Sequence, residues 1–175
     1  MAAARKRPRR PSRKKPALQP RYTIDASVFV NAFNPHEDGH AESLAILAAI
    51  QEHGDPIIVP ALLLPEIASA VARASDDSTG ALHYVDATAS LPHVTVVTLT
   101  SAMARQAAEL AAFYRLRGAD SVYVGVARRY GTTLVTRDDE QRSRAAAVIR
   151  CETPEVALRN RQIPKGTTRS EDRRP

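Results

Sequence analysis

Asp25, Glu66, Asp120 and Asp138 each stand where an apolar run gives way to a turn or helix, although they are scattered over most of the chain. In an α/β sheet the C-terminal ends of the strands share one edge, so acids placed just past several strands converge in space while lying far apart in sequence. Carboxylates gathered in that way repel one another unless protons or a divalent cation neutralise them, and a donor set of oxygen alone favours Mg2+ or Mn2+ over zinc. Taken singly, Asp25, Asp120 and Asp138 could each be a helix N-cap, because a carboxylate accepts from the free N–H groups of a first turn. Capping gives no account of Glu66, which falls inside a helical segment.

The elements that must position these acids alternate between strand and helix periods. Tyr22 to Ile24 reads as a short buried strand ending at Asp25, and a helical opening follows until Asn34-Pro35 breaks it. Ile46, Leu47 and Ile50 mark a helix from His40 to Glu52, closed by Gly54. Ile57 to Val59 reads as a strand, and Pro60 as the start of a helix with Leu64, Ile67, Ala68 and Val71 on one stripe. Glu66 lies roughly opposite that stripe at about 100° per residue, free to line a cleft. Past the polar loop from Asp76 to Gly80 come a weaker helix and a strand from Val94 to Leu99. Thr100 or Ser101 then caps a helix whose buried side carries Met103, Ala107, Leu110 and Tyr114. A helix from Ala119 to Tyr130, a strand from Thr132 to Thr136, a helix opened by Asp138-Asp139, an edge strand from Val148 to Arg150 and a helix at Thr153-Pro154-Glu155 complete the series. Strands separated by helices require crossovers, so the expected fold is a three-layer α/β/α domain around a central parallel sheet.

Composition sets the domain apart from its ends. The chain of 175 residues carries a net charge of +6 with 43% hydrophobic and 25% charged residues, enough for one domain with a full core. The basicity is concentrated at the termini, about +9 from Met1 to Arg21 and about +4 beyond Leu158, which leaves about −7 for the middle by difference. The middle holds no lysine. Residues 1–20 and 159–175, proline-punctuated and nearly free of apolar side chains, read as disordered basic tails around a domain spanning 21–158. Such tails either solubilise the protein or grip nucleic-acid phosphates without reading sequence.

Several chemistries find no support. The single Cys151 forms no internal disulfide, which fits a reducing cytoplasm, and no stretch approaches membrane-spanning length. Phosphate-binding glycine loops are absent, and no His stands beside a Ser or Cys in a nucleophile motif. His36 and His40 are four apart, as two imidazole ligands on a helix would be, but Gly39 between them breaks the helix and favours an exposed loop. Tyr84, Tyr114, Tyr123 and Tyr130 sit at helical spacing and read as core or interface. A receiver domain would share the architecture, but it needs a late core lysine that is missing here.

Four segments together are more specific than any one. Ile24-Asp25-Ala26-Ser27-Val28-Phe29-Val30, Val59 to Ala70, Gly118-Ala119-Asp120-Ser121-Val122-Tyr123-Val124 and Leu134-Val135-Thr136-Arg137-Asp138 resemble the successive signatures of the PIN-domain family, in its order and approximate spacing. The likeness covers Tyr22 to Leu158, and the compact length looks most like the toxins of VapC-type toxin–antitoxin modules. The resemblance implies a Mg2+- or Mn2+-dependent endoribonuclease in which Asp25, Glu66, Asp120 and Asp138 are the metal-binding catalytic acids. It further implies that Ser27 and Thr136 support them through hydrogen bonds, and that Asp138 rather than the adjacent Asp139 faces the metal, Asp139 standing beside it in support. Also implied are hydrolysis to 5′-phosphate and 3′-hydroxyl ends, an antitoxin partner and a homodimer. Arg115, Arg117 and Arg137 are the nearest basic residues in sequence for the RNA backbone, or else ordinary surface arginines. A non-enzymatic RNA-binding or scaffold protein that retains the fold is the competing class, and an intact acid set favours the enzyme.

Overall fold

Strands covered by helices on both faces must be apolar at every position rather than at alternate ones, and β1 (Tyr22–Ile24) and β2 (Ile57–Pro60) are buried throughout. The computed structural model describes residues 19–162. The basic tails therefore fall largely outside the described residues. After β1 come α1 (Ala26–Phe33) and α2 (His40–His53), and after β2 come α3 (Leu63–Ser75), α4 (Ser78–Ala89) and β3 (Val94–Val97). The second half runs α5 (Ser101–Tyr114), α6 (Gly118–Tyr130), β4 (Thr133–Val135), α7 (Asp139–Ala145), β5 (Cys151–Glu152) and α8 (Pro154–Gln162). No helix among the described residues is long and apolar enough to cross a membrane.

All strand pairs are parallel, in the order β3-β2-β1-β4-β5. The chain therefore winds outward from β1 through β2 and β3, then returns to lay β4 on the other side of β1. Helices leaving β1 and β4 diverge at that reversal and open a crevice beyond the strand ends. Register brings Ile24 opposite Val135, so the residues following each strand face one another across it. Ile24, Val28, Ile46, Val59, Ile67, Tyr123 and Leu134 are wholly enclosed in the core beneath. The one polar side chain inside β1, Thr23, shares a 2.6 Å hydrogen bond with Thr132 and donates to the Ile58 carbonyl at 2.8 Å.

The structure differs from the sequence reading at several element boundaries: α4 already begins at Ser78, inside the expected loop, with Asp77 as its N-cap, and β3 stops at Val97 rather than Leu99. Pro60 ends β2, paired in register with Val97, and the helix starts at Leu63. The Val148 and Ile149 N–H groups bond to the Ala145 carbonyl at 2.8 and 3.0 Å, prolonging a helical turn, so the last strand forms at Cys151 rather than at Val148 to Arg150. The final helix passes Leu158 and runs to Gln162, which places Arg159 to Gln162 in the domain rather than in a tail. Two polar contacts hold its last turn. Asn160 donates to Glu152 at 2.8 Å, and Arg161 forms a largely buried ion pair with Asp55, which also accepts from Gln19 at 3.2 Å.

Removing one partner of a buried ion pair strands the other charge away from water. Arg161→Met should therefore lower stability by about 3–5 kcal/mol, read as a reduced urea midpoint at unchanged slope. A midpoint equal to the parent's would show that the pair does not hold α8.

Candidate metal centre

Asp25 follows β1 and caps α1. Its N–H donates to the Val135 carbonyl at 3.0 Å, and its Oδ2 accepts from the Ser27 N–H at 3.0 Å and the Thr136 hydroxyl at 3.4 Å. The two small hydroxyl residues also tie down the segment after β4. Thr136 Oγ1 accepts from the Asp138 N–H at 3.1 Å, and Ser27 Oγ accepts from the Arg137 N–H at 3.2 Å. Expected to support the acids, Ser27 and Thr136 stand between the two strand ends that deliver Asp25 and Asp138.

Asp138 caps α7 by accepting from the Gln141 N–H at 2.9 Å and pairs with Arg117 at 3.1 Å. Asp120 is no cap, because Arg117 occupies the N-cap position of α6 and Asp120 lies in the first turn. Glu66 sits in the first turn of α3, where its Oε2 accepts a 2.5 Å bond from the hydroxyl of Tyr123, a residue with no exposed surface. Asp139, expected beside the metal, points away instead. As the first residue of α7 it reaches along the helix to Arg142 at 2.8 Å and is 84% exposed.

Asp25, Ser27, Glu66, Ser69, Arg73 and Asp120 line an open cleft of about 620 Å³. Asp138 stands close enough that its charge raises the pKa of both Asp25 and Asp120. Burial is the largest cause for Asp25, whose pKa is raised despite the bonds from Ser27 and Thr136. Burial also raises Glu66, assisted by the charges of Asp25 and Asp120 and opposed by the Tyr123 bond. Asp120 is pushed up to about 6, first by burial and then by Asp138 and Asp25, with Arg117 pulling the other way. Among the described residues no three His, Cys, Asp or Glu side chains already close around one point. Three of the acids line the cleft with Asp138 near them, and the donor set is carboxylate oxygen whose mutual repulsion a hard divalent cation would relieve.

The arginines singled out from sequence have separate fates. Arg117 spans Asp138 and Glu140, the latter at 2.7 Å. Arg137 turns from the cleft and donates to the carbonyls of Asp38 and Gly39 at 2.7 and 3.3 Å. Gly39 has φ +78°, and a Cβ there would collide with that guanidinium. Arg115 ends α5 in the left-handed region at φ +54°. His40 bonds through Nδ1 to the Asn31 carbonyl at 3.0 Å, and His36 is exposed, so the loop packs around Asn31. Two residues at the site are not singled out by the sequence reading. Tyr123, read as core or interface, is buried yet donates to Glu66 from beneath the cleft, and Arg73 lines the cleft, its spacing from Glu66 putting it on the same helix face.

The sequence model of the PIN domain matches residues 22–147. Among solved structures, VapBC2 from Rickettsia felis, bound to a DNA fragment from its promoter, aligns at 18% identity and a TM-score of 0.58, covering 75% of this chain and 97% of that one. Mycobacterium tuberculosis VapC20, described as a Sarcin-Ricin loop cleaving toxin, aligns at 17% identity and a TM-score of 0.60, covering 70% and 93%. PAE2754 from Pyrobaculum aerophilum gives 20% identity and a TM-score of 0.60, covering 82% and 96%. None of the curated proteins compared matches the chain.

A raised carboxyl pKa has a definite sign in stability. The unfolded chain releases the Asp120 proton near the ordinary 3.8, whereas the folded protein keeps it up to about 6. Across that window the folded state binds more protons, so stability falls as pH rises. Asn does not titrate. With chelator present, Asp120→Asn should melt close to the parent near pH 4 and above it past about pH 6, a divergence that thermal scans across pH would show. A constant difference at every pH would contradict it.

Proposed function

We propose, from the premise that this chain belongs to the PIN-domain family, that it is a Mg2+- or Mn2+-dependent endoribonuclease and the toxin of a toxin–antitoxin pair. One observation carries the reading. Asp25, Glu66 and Asp120, from three separate elements, line one cleft, Asp138 lies near enough for its charge to act on two of them, and burial together with their neighbours' charges raises the pKa of all three cleft acids. That arrangement disfavours an empty, fully ionised site and suits one that a divalent cation neutralises.

Asp25, Glu66, Asp120 and Asp138 would hold the ion, which when bound stabilises charge on a phosphoryl group and lowers the pKa of water. The protein's own part is positioning. Ser27 and Thr136 fix Asp25 against the end of β4, the Tyr123 hydroxyl orients Glu66, and the cap of α7 orients Asp138. The expected reaction is hydrolysis of an RNA phosphodiester to 5′-phosphate and 3′-hydroxyl ends. The basic residues between Arg5 and Arg21 would offset the acidic domain's repulsion of RNA.

Support for the partners comes from fold and surface. Structural neighbours include complexes described as VapBC, and a carboxylate-lined cleft suits the guanidinium of an antitoxin segment as it suits a cation. Phe113 on α5 is 82% exposed, beside Tyr114 at 37%, so this face suits a second copy of the chain. Tyr114, expected on the buried side of its helix, belongs to that surface instead.

Asp25→Asn and Asp120→Asn should each lower Mn2+-dependent RNA cleavage by about 1,000-fold or more, since a lost ligand removes several kcal/mol of charge stabilisation. Circular dichroism of both should match the parent. Cleavage by either at the parent's rate would sink this site assignment. Separately, light scattering at micromolar concentration should give a dimer for the parent and a monomer for Phe113→Glu. A monomeric parent would remove the dimer from the proposal.

A further inference from the structure

Glu66, Ser69, Ala70 and Arg73 follow one another at helical spacing along α3, and all four line the cleft. At about 1.5 Å of rise per residue, Arg73 lies about 10 Å along the axis from Glu66. Its guanidinium donates to the Ser69 hydroxyl, which holds it on the cleft side of the helix. Among the described residues Arg73 forms no ion pair. The other cations near the acids are committed: Arg117 to Asp138 and Glu140, Arg137 to loop carbonyls and Glu155, Arg142 to Asp139, Arg144 to Glu140.

We infer that Arg73, held by Ser69, is a phosphate-binding subsite for the RNA strand, contacting a backbone phosphate next to the one at the acids. The inference rests on the ribonuclease reading and adds a specific residue to it. An acidic cleft repels the polyanion it must bind, so a cation is needed along the groove and apart from the carboxylates. Arg73 is the one arginine among the cleft-lining residues. A guanidinium is also suited to phosphate, offering paired N–H donors in a planar fork. Ser69 restricts the side chain before substrate arrives, which reduces the entropy lost on binding.

The test uses the full chain carrying Asp25→Asn and a fluorescein-labelled single-stranded RNA, with anisotropy followed over a salt series. Adding Arg73→Gln should weaken binding several-fold and flatten the slope of log affinity against log salt by about 0.7, the value for one phosphate contact on a single strand. Arg73→Lys should keep the slope while losing part of the affinity, and Arg105→Gln, on the exposed face of α5, should change neither. In the otherwise native protein with Mn2+, Arg73→Gln should raise KM with kcat retained. Unchanged affinity and slope for Arg73→Gln, in a parent that cleaves RNA, would overturn the subsite and leave the nuclease reading standing. Equal losses for Gln and Lys with a lowered Tm would make Arg73 structural and overturn it as well. A parent that neither binds nor cleaves RNA would overturn the nuclease reading, and the subsite with it.

Discussion

Carboxylates brought together in a partly buried crevice repel one another, and the fold has to hold them there at the expense of stability. Asp25 is 8% exposed and senses Asp138, Glu66 senses Asp25 and Asp120, and Asp120 senses Asp138 and Asp25. Hydrogen bonds offset part of that cost. Tyr123 donates to Glu66 from within the core of α6, so the element that carries Asp120 also steadies the acid on α3. Arg117, at the start of that same helix, offsets the charge of Asp138.

Topology supplies the convergence. Because β4 returns beside β1, the segments after Ile24 and Val135 lie side by side, and the bonds among Asp25, Ser27, Thr136, Arg137 and Asp138 lace them together. Arg137 extends this lacing outward to the α1–α2 loop through the Asp38 and Gly39 carbonyls, and to Glu155 at the start of α8 at 3.8 Å. The arginines are thereby divided between those that lock loops and ends to the domain and the one on α3 that faces the open cleft.

The sequence was legible where a local pattern determines the outcome. Buried parallel strands read as continuous apolar runs, which located β1, β2 and β4, and helix stripes at Ile67 and Val71 or Ala107 and Leu110 fixed which faces turn inward. Boundaries set by tertiary contacts were harder. Arg159 to Gln162 looked like more basic tail, because nothing near Arg161 in sequence announces Asp55 as its partner. Tyr123 was placed correctly in the core, but its hydroxyl contact with Glu66 joins residues 57 positions apart and has no local signature. Asp139 could not be separated from Asp138 by residue type alone. Helix geometry separates them, one as the cap and the other as an outward first-turn residue.

Capping and metal binding compete as explanations of Asp25 and Asp138 only if a carboxylate can do one thing. It has two oxygens and about four lone-pair positions. Asp25 receives both the Ser27 N–H and the Thr136 hydroxyl on Oδ2, and among the described residues no hydrogen bond is directed at Oδ1. Glu66 likewise receives Tyr123 on Oε2 and leaves Oε1 free among the same residues. Asp138 divides its oxygens differently, giving Oδ1 to the cap and Oδ2 to Arg117, whose side chain is 63% exposed. An exposed guanidinium is held by little more than about 1 kcal/mol, so a cation or substrate entering the cleft can displace it without disturbing the cap. The structural roles thus orient these acids by one oxygen each. The second oxygen is unclaimed at Asp25 and Glu66 among the described residues and held only by an exposed ion pair at Asp138, so capping does not exclude cation binding by the same acids.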